Sequence, residues 1–239
     1  MTEPTNDPRT IRQNLLIDAD DTLWENNLYF ERAIANFISF LEHKELSAEE
    51  VRTVINRVEH ANIQVHGYGI ASFAKALTKT FEQLSVEPIT PPLHETVQGF
   101  ARAIAEHPIE FIAGVEDTLK YLHAKHRLLL VTKGNYEEQY GKVTRSGLAK
   151  YFEAVEIVAE KDAPTYGYIA EKYILERKYT WMIGNSPKSD INPALEAGFN
   201  AVFVPHSNTW QLEHCEIAAA RPPQVLIEVG GFTDLQTRF

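Results

Sequence analysis

Six short apolar runs, most of them separated by helical patterns, constrain the fold of this chain more than any other feature. They cover residues 15–17, 128–131, 154–158, 181–183, 201–204 and 225–227. Short apolar runs of this kind are typical of strands that are buried on both faces of a parallel sheet. Repeated strand–helix units pair in parallel through right-handed crossovers, so we predict an α/β fold built on a doubly wound parallel sheet.

A long helical stretch separates the first apolar run from the second. Its apolar residues recur at helical spacing in four segments, residues 30–41, 51–58, 70–84 and 97–104. Ser47 and Glu50 form a capping-box pattern before the second segment, and Thr90 with Pro91 is typical of a helix start before the fourth. Four helices with short connections predict a small helical bundle.

These patterns predict how the chain is divided into domains. Residues 1–24 and 109–239 would form a Rossmann-like doubly wound core, and residues 25–108 an α-helical bundle inserted after the first strand. A chain of 239 residues is long enough for two modest domains or one large one.

Charge and cysteine content exclude several classes of protein. The formal net charge of −10 repels nucleic-acid backbones, so we expect no nucleic-acid partner. The one cysteine, Cys215, allows neither an internal disulfide nor a thiolate zinc site, and we expect it to be a buried small residue. The polar N-terminus lacks the apolar segment of a signal peptide, and no apolar run approaches the ~20 residues that span a bilayer. We therefore expect a soluble cytoplasmic protein without a membrane partner.

Polar residues of complementary chemistry follow four of the apolar runs. They are Asp18, Asp20, Asp21 and Thr22 after the first run, Thr132, Lys133 and Gly134 after the second, Lys161 after the third, and Asn185, Ser186 and Asp190 after the fourth. Each is weak evidence alone, because Asp is common in turns, Thr caps helices and Lys lies on surfaces. In a doubly wound sheet, however, ligands bind beyond the carboxyl ends of the strands, where these groups would converge. Acids, a hydroxyl, a lysine and an amide at one edge predict a site for a divalent cation and a phosphate.

In the order and placement of these groups, the chain resembles the haloacid dehalogenase superfamily of phosphatases. The four motifs of that family match residues 15–23, residues 128–132, Lys161 and residues 184–190, and the helical insertion matches its cap domain. The resemblance covers nearly the whole chain. It implies a magnesium-dependent phosphomonoester hydrolase that acts on a small phosphorylated metabolite through an aspartyl-phosphate intermediate.

The resemblance also implies roles for individual residues. Asp18 would be the nucleophile, and Asp20 would protonate the leaving alcohol and later deprotonate a water. Alternate residues of an extended segment point to the same side, so both carboxylates can face one phosphate. Burial or a nearby negative charge would have to raise the pKa of Asp20 for it to act as an acid. Thr132 would donate to a phosphoryl oxygen, and Lys161 would offset negative charge.

The implied magnesium ligands depart from the family pattern at one position. Magnesium prefers oxygen ligands, and the resemblance implies that Asp18, the backbone carbonyl of Asp20 and an acid of the fourth motif supply them. The commonest pattern places an acid directly after the glycine, whereas this chain has Asn185. Asp190 could bind the cation directly or through water, so the sequence leaves open whether Asn185 or Asp190 is the direct ligand.

Further residues are predicted to contact the substrate. Lys133 and Gly134 join Thr132 in this group. Tyr68, in the segment 64–69 between two predicted helices, could reach the substrate or belong to an ordinary helix connection. Trp24 could line the pocket or pack where the chain enters the insertion.

Three alternative functions stay open. A family branch that cleaves carbon–halogen bonds also has Asn in the fourth motif, but it lacks the second aspartate of the first motif, so Asp20 favours phosphate esters. A phosphomutase would return the phosphate to a sugar rather than to water. Asn185 also allows a degenerate family member that binds a metabolite or a protein without catalysis.

Overall fold

A computed structural model describes residues 10–42, 45–85 and 88–239 of the chain. The chain divides into two compact units, one formed by Met1–Glu25 and Ile109–Phe239 and the other by Asn26–Pro108. We call the first the core unit and the second the helical unit. The boundary predicted from the sequence lay one residue earlier, between residues 24 and 25.

Six parallel strands form the sheet of the core unit in the described residues. They are β1 (Asn14–Ile17), β2 (Arg127–Lys133), β3 (Ala154–Val158), β4 (Thr180–Gly184), β5 (Asn200–Phe203) and β6 (Leu226–Glu228). The strand order β3-β2-β1-β4-β5-β6 reverses its direction at β1, which confirms the predicted doubly wound sheet. Ile17 pairs with Leu130 of β2 and Ile183 of β4, so these three strands run side by side in the centre of the sheet.

The helical unit contains the helices that the sequence predicted. They are α1 (Asn27–Leu41), α2 (Ala48–His66), α3 (Ile70–Leu84) and α4 (Pro91–Ala105). The capping box at the start of α2 is formed, with Ser47 and Glu50 bonded in both directions. Thr90 precedes α4 and Pro91 opens it, but the Thr90 side chain makes no capping hydrogen bond. The apolar faces of the helices pack into one cluster that includes Phe37, Ile55, Leu77 and Val97.

Helices cover both faces of the sheet in the core unit. They are α5 (Val115–His123), α6 (Tyr136–Ser146), α7 (Ala163–Tyr173), α8 (Asn192–Glu196) and α9 (Leu235–Arg238). Leu15 and Ile17 belong to the apolar cluster that contains α5, whereas Leu16 between them belongs to the cluster that contains α7. This alternation follows from the period of a strand and buries β1 on both faces.

Two sequence expectations about single segments are wrong. The predicted connection 64–69 is shorter in the structure, because α2 continues through His66 and leaves only residues 67–69 outside a helix. Cys215 is exposed rather than buried, because it lies in an irregular segment beyond β5 and not in an apolar cluster. Across the described residues, no helix combines the length and the apolar character needed to cross a membrane.

Candidate active site

Three charged side chains meet beyond the carboxyl ends of the central strands. Asp18 follows β1, Lys161 lies in the loop between β3 and α7, and Asp190 lies in the helical turn Pro187–Ile191 after β4. The Lys161 ammonium donates to Oδ1 of Asp18 and, at 2.7 Å, to Oδ1 of Asp190. All three residues are buried. The sheet therefore brings together two buried carboxylates that share one ammonium.

The packing around Asp190 explains the glycine that ends β4. The second oxygen of Asp190, Oδ2, accepts a hydrogen bond of 2.9 Å from the backbone N–H of Ser186. A Cβ atom on Gly184 would lie 2.2 Å from that oxygen. Only a residue without a side chain leaves room for the Asp190 carboxylate beside the strand.

Burial controls the protonation of Asp18. Loss of solvent raises its pKa to about 7 and the neighbouring Asp190 carboxylate adds to this rise, while Lys161 opposes it. Burial also opposes the charge of Lys161, but the two carboxylates outweigh it and raise the pKa of the ammonium. With a pKa of about 7, Asp18 is only partly ionised at neutral pH, and a further positive charge beside it would favour the ionised form.

Asp20 is held by three donors. Trp24 Nε1 donates to Oδ1 at 2.7 Å, Gln139 Nε2 donates to Oδ2 at 2.9 Å, and Lys142 Nζ donates to both oxygens at 2.7 and 2.6 Å. Burial raises the pKa of Asp20, but Lys142 and the hydrogen bonds outweigh burial and lower it. The condition that the sequence sets for Asp20 as an acid, a raised pKa, is therefore not met while the Lys142 ammonium pairs with it.

The orientation of the Asn185 amide follows from its neighbours. Thr209 donates its hydroxyl proton to the carbonyl of His206 at 3.0 Å, so it can only accept from Asn185 Nδ2, at 2.9 Å. Asn185 Oδ1 then faces Thr22, whose hydroxyl lies 3.3 Å away. The same hydroxyl lies 3.0 Å from Asp18 Oδ2. The Asn185 amide oxygen and the Asp18 carboxylate are thus both within hydrogen-bond distance of the Thr22 hydroxyl.

The residues after β2 differ in what they contact. Thr132 is buried at the end of the strand. Lys133 Nζ donates to Ser189 at 2.6 Å and to Glu213 at 2.7 Å, so its ammonium ties β2 to the segments after β4 and β5. Gly134 has a φ of 141°, and a Cβ there would approach Gln139 Nε2 to 3.0 Å. The predicted contact of Lys133 and Gly134 with substrate stays a prediction, whereas their structural contacts are clear.

Trp24 and Tyr68 lie in different units. Trp24 is fully buried in the core unit, and its indole positions Asp20. Tyr68 lies in the connection between α2 and α3 of the helical unit and is partly buried. Its role in substrate binding stays a prediction.

A histidine joins two loops beside the site. His206, which follows β5, has its Nε2 3.2 Å from Glu25 Oε1, and its Nδ1 accepts from the backbone N–H of Asn208 at 3.3 Å. Asp21 completes a group of three side chains with His206 and Glu25, whose carboxylate and imidazole atoms lie within 4.8 Å of one another. These contacts connect the loop after β5 to the first-motif loop.

Sequence reasoning assigned no role to several residues around Asp18 and Asp20. Gln139 and Lys142 are three residues apart on α6 and so share a helix face, which is a signal that a helical projection of this segment would have shown. Thr22 stands inside the first motif. Thr209 follows no motif, and nothing local in the sequence indicates its contact with Asn185.

The geometry can be compared with known proteins. The sequence profile of the haloacid dehalogenase-like hydrolases matches residues 13–198, more than half of the chain. The chain belongs to this family. A search of curated proteins found no match.

Solved structures of this hydrolase family resemble the chain along nearly its whole length. A haloacid dehalogenase-like family hydrolase from Xanthomonas campestris is 28% identical, with a TM-score of 0.81 over 95% of this chain and 89% of that one. The HAD-hydrolase YfnB from Bacillus subtilis, solved bound to magnesium, is 17% identical, with a TM-score of 0.62 over 95% and 97%. The L-2-haloacid dehalogenase from Xanthobacter autotrophicus is 16% identical, with a TM-score of 0.63 over 95% and 98%. At such identities, the last two share the fold alone.

Proposed function

We propose that this hydrolase is a magnesium-dependent phosphatase that cleaves the monoester of a small phosphorylated metabolite, with Asp18 as the nucleophile. One observation carries the proposal: Asp18 shares the Lys161 ammonium with Asp190, while a second carboxylate, Asp20, stands two residues further on. A nucleophile, a cation that offsets charge and a separate acid–base group are the parts that phosphoryl transfer through an enzyme carboxylate needs.

The oxygen atoms around Thr22 fit a magnesium ion. One hydroxyl proton cannot satisfy both Asp18 Oδ2, at 3.0 Å, and Asn185 Oδ1, at 3.3 Å. One buried oxygen is therefore left for another positive partner, and both are hard ligands of the kind magnesium prefers. We propose that Asp18, the Asp20 carbonyl and Asn185 hold the ion directly. Asp190 would not bind the ion directly, because its two oxygens already accept hydrogen bonds from Lys161 and from the backbone N–H of Ser186.

The ion would supply positive charge that keeps Asp18 ionised and draws the phosphate toward it. Asp20, which is ionised beside Lys142, first takes a proton from solvent when that ion pair opens. An Asp18 oxygen then attacks phosphorus, the bond from phosphorus to the ester oxygen breaks, and that oxygen takes the proton from Asp20. In the second step Asp20 takes a proton from water, the water oxygen attacks phosphorus, and the bond to Asp18 breaks. Lys161 offsets the charge of the Asp18 carboxylate in both steps, and Thr132 donates to a phosphoryl oxygen.

Asp20 separates this proposal from carbon–halogen cleavage. A halide leaves without being protonated, whereas an alkoxide leaving group needs a proton. A general acid two residues after the nucleophile is therefore required only when the leaving atom is oxygen. A phosphomutase would use the same residues. It would differ only in the group that accepts the phosphate, which would be a sugar hydroxyl instead of water.

A phosphate-release assay tests the proposal. Wild-type protein is incubated with a panel of alkyl and aryl phosphates, with and without magnesium. We expect turnover that requires magnesium, that Asp18→Asn abolishes and that Asp117→Asn, an exposed carboxylate on α5, leaves unchanged. A phosphoenzyme trapped by acid should carry its phosphate on Asp18.

Other outcomes decide against it. Halide release from 2-chloropropionate without any phosphate release would establish the dehalogenase instead. Isomerised sugar phosphate in labelled water, with no free phosphate, would establish the mutase. No turnover of any ester would support a binding protein.

A further inference from the structure

The lysine that holds Asp20 lies outside the four sequence motifs. Lys142 on α6 donates to both oxygens of Asp20, at 2.7 and 2.6 Å, and Trp24 and Gln139 each donate to one of them. A carboxylate has about four lone-pair acceptor sites, and these hydrogen bonds fill them. Asp20 can therefore contact the leaving group of a substrate only when one of its donors withdraws.

Two of the three donors are held in place by the protein. Trp24 is fully buried. Gln139 is buried as well, and its Nε2 also donates to the backbone carbonyl of Lys133 at 3.0 Å. The Lys142 side chain, by contrast, is 17% exposed and carries its ammonium at the end of a flexible four-carbon chain. Lys142 is the donor that can withdraw.

An anionic acceptor would stabilise the withdrawn ammonium, because pairing offsets the cost of a partly buried charge. The group that arrives beside Asp20 is the leaving group, since an acid must lie within hydrogen-bond reach of the oxygen that it protonates. An anion carried by the leaving group, one or two carbons from the ester oxygen, would take the ammonium and free Asp20 at the same time.

We propose that Lys142 binds an anionic group on the leaving-group side of the substrate, so that the preferred substrates are phosphate esters of acidic alcohols. The anion would be a carboxylate or a second phosphate. This inference rests on the proposed function in one respect, which is that Asp20 contacts the leaving group.

A pair of matched esters tests the proposal. Phosphoglycolate and ethyl phosphate differ in having a carboxylate or a methyl group at the same position. The ratio of their kcat/KM values isolates the carboxylate, because any effect of Lys142 on Asp20 itself acts on both esters. We expect the wild type to prefer phosphoglycolate by roughly tenfold or more, the size of a charged hydrogen bond.

Variants on α6 locate the preference. Lys142→Met should remove it through a higher KM for phosphoglycolate alone, and Lys142→Arg should retain part of it. Arg145→Met removes an exposed cation three residues along the same helix and should leave the ratio unchanged. A Lys142→Met ratio equal to that of the wild type would overturn the proposal while leaving the phosphatase function intact.

Binding separates the two proposals when turnover is missing. In an Asp18→Asn background, calorimetry compares the affinities of the two esters with and without Lys142→Met. A phosphoglycolate preference that depends on Lys142, in a protein that hydrolyses no ester, would overturn the proposed function and support the subsite. Equal affinities would overturn the subsite.

The wild type alone gives a further test if Lys142→Met does not fold. Phosphoethanolamine carries a cation on its leaving group instead of the anion. We expect kcat/KM to be highest for phosphoglycolate, lower for ethyl phosphate and lowest for phosphoethanolamine. Equal values for the three esters, or the reverse order, would overturn the proposal.

Discussion

At the scale of single residues, Gly184 illustrates how closely the site is packed. A Cβ atom there would lie 2.2 Å from Oδ2 of Asp190. Gly184→Ala should displace that carboxylate from Lys161 and Ser186 and reduce kcat/KM roughly 10- to 100-fold, as expected for lost charged hydrogen bonds. Gly167→Ala is the control, since a Cβ there meets nothing within 4 Å. Wild-type kinetics in Gly184→Ala would show that Asp190 does not need this space.

The protonation of Asp18 predicts how magnesium binding depends on pH. Its pKa is raised to about 7 by burial and by Asp190, so below pH 7 the ion has to displace a proton. We expect the magnesium Kd to rise about tenfold per unit below pH 7 and to be level above pH 8. Calorimetry of the wild type between pH 5.5 and 8.5 measures this slope. A Kd that does not change across this range would exclude Asp18 as a titrating ligand.

At the scale of elements, the end of α7 holds a strained residue. Ile174 caps this helix in the left-handed conformation, with φ 55° and ψ 52°, and its side chain is 89% exposed. A β-branched residue is unfavourable there, and glycine adopts the conformation freely. Ile174→Gly should therefore stabilise the protein by about 1 kcal/mol in urea unfolding. Ile174→Val keeps the strain and should leave the midpoint unchanged, so an equal gain in both variants would exclude this explanation.

A buried acid in α2 predicts how the stability of the helical unit depends on pH. Burial, with a smaller contribution from Glu31, raises the pKa of Glu59 from 4.5 to about 7, and no described residue hydrogen-bonds its Oε2. Between pH 4.5 and about pH 7, Glu59 keeps its proton in the folded protein but has lost it in the unfolded protein. The free energy of unfolding therefore falls as the pH rises through this range.

The corresponding variant is Glu59→Gln. It should be more stable than the wild type at pH 8, by up to about 3 kcal/mol, and the difference should shrink toward pH 4.5. Urea midpoints at both pH values measure this. Glu82→Gln, on the exposed side of α3, is the matched control and should show no such pH dependence. A gain for Glu59→Gln that is the same at both pH values would contradict the linkage.

At the scale of the whole molecule, each unit builds its own apolar core. The clusters around the sheet draw only on residues of the core unit, and the cluster of the helical unit draws only on residues 26–108. The chain leaves and re-enters the core unit at neighbouring points, with Glu25 N donating to Glu110 O at 2.9 Å. A short linker can therefore replace the helical unit.

Deletion of residues 26–108, closed by about four Gly and Ser residues, should leave a core that unfolds cooperatively. It should still bind magnesium, because Asp18, Asn185 and Asp190 all lie in the core unit. Circular dichroism during thermal unfolding and a magnesium titration measure both expectations. A core without a cooperative transition would show that it depends on the helical unit for its fold.

Much of the fold could be predicted because its signals are local. Three or four apolar residues in a row identify five of the six strands, and a strand of a doubly wound sheet places the residue after it at the binding edge. Asp18, Lys161 and Asp190 were grouped in this way, and the structure brings them into contact. The capping box of α2 was likewise visible within four residues.

Tertiary structure alone decided the electrostatic state of the site. Lys142 is 122 residues from Asp20 in the sequence, and only the packing of α6 beside the first-motif loop turns an expected acid with a raised pKa into an ion-paired carboxylate. Burial, which raises the pKa of Asp18, and the contact of Thr209 with Asn185 also depend on segments far apart in the chain. Periodicity and turn chemistry act over a few residues and so can be identified in the sequence, whereas the charge and solvent around a side chain are set by whichever distant segments fold against it.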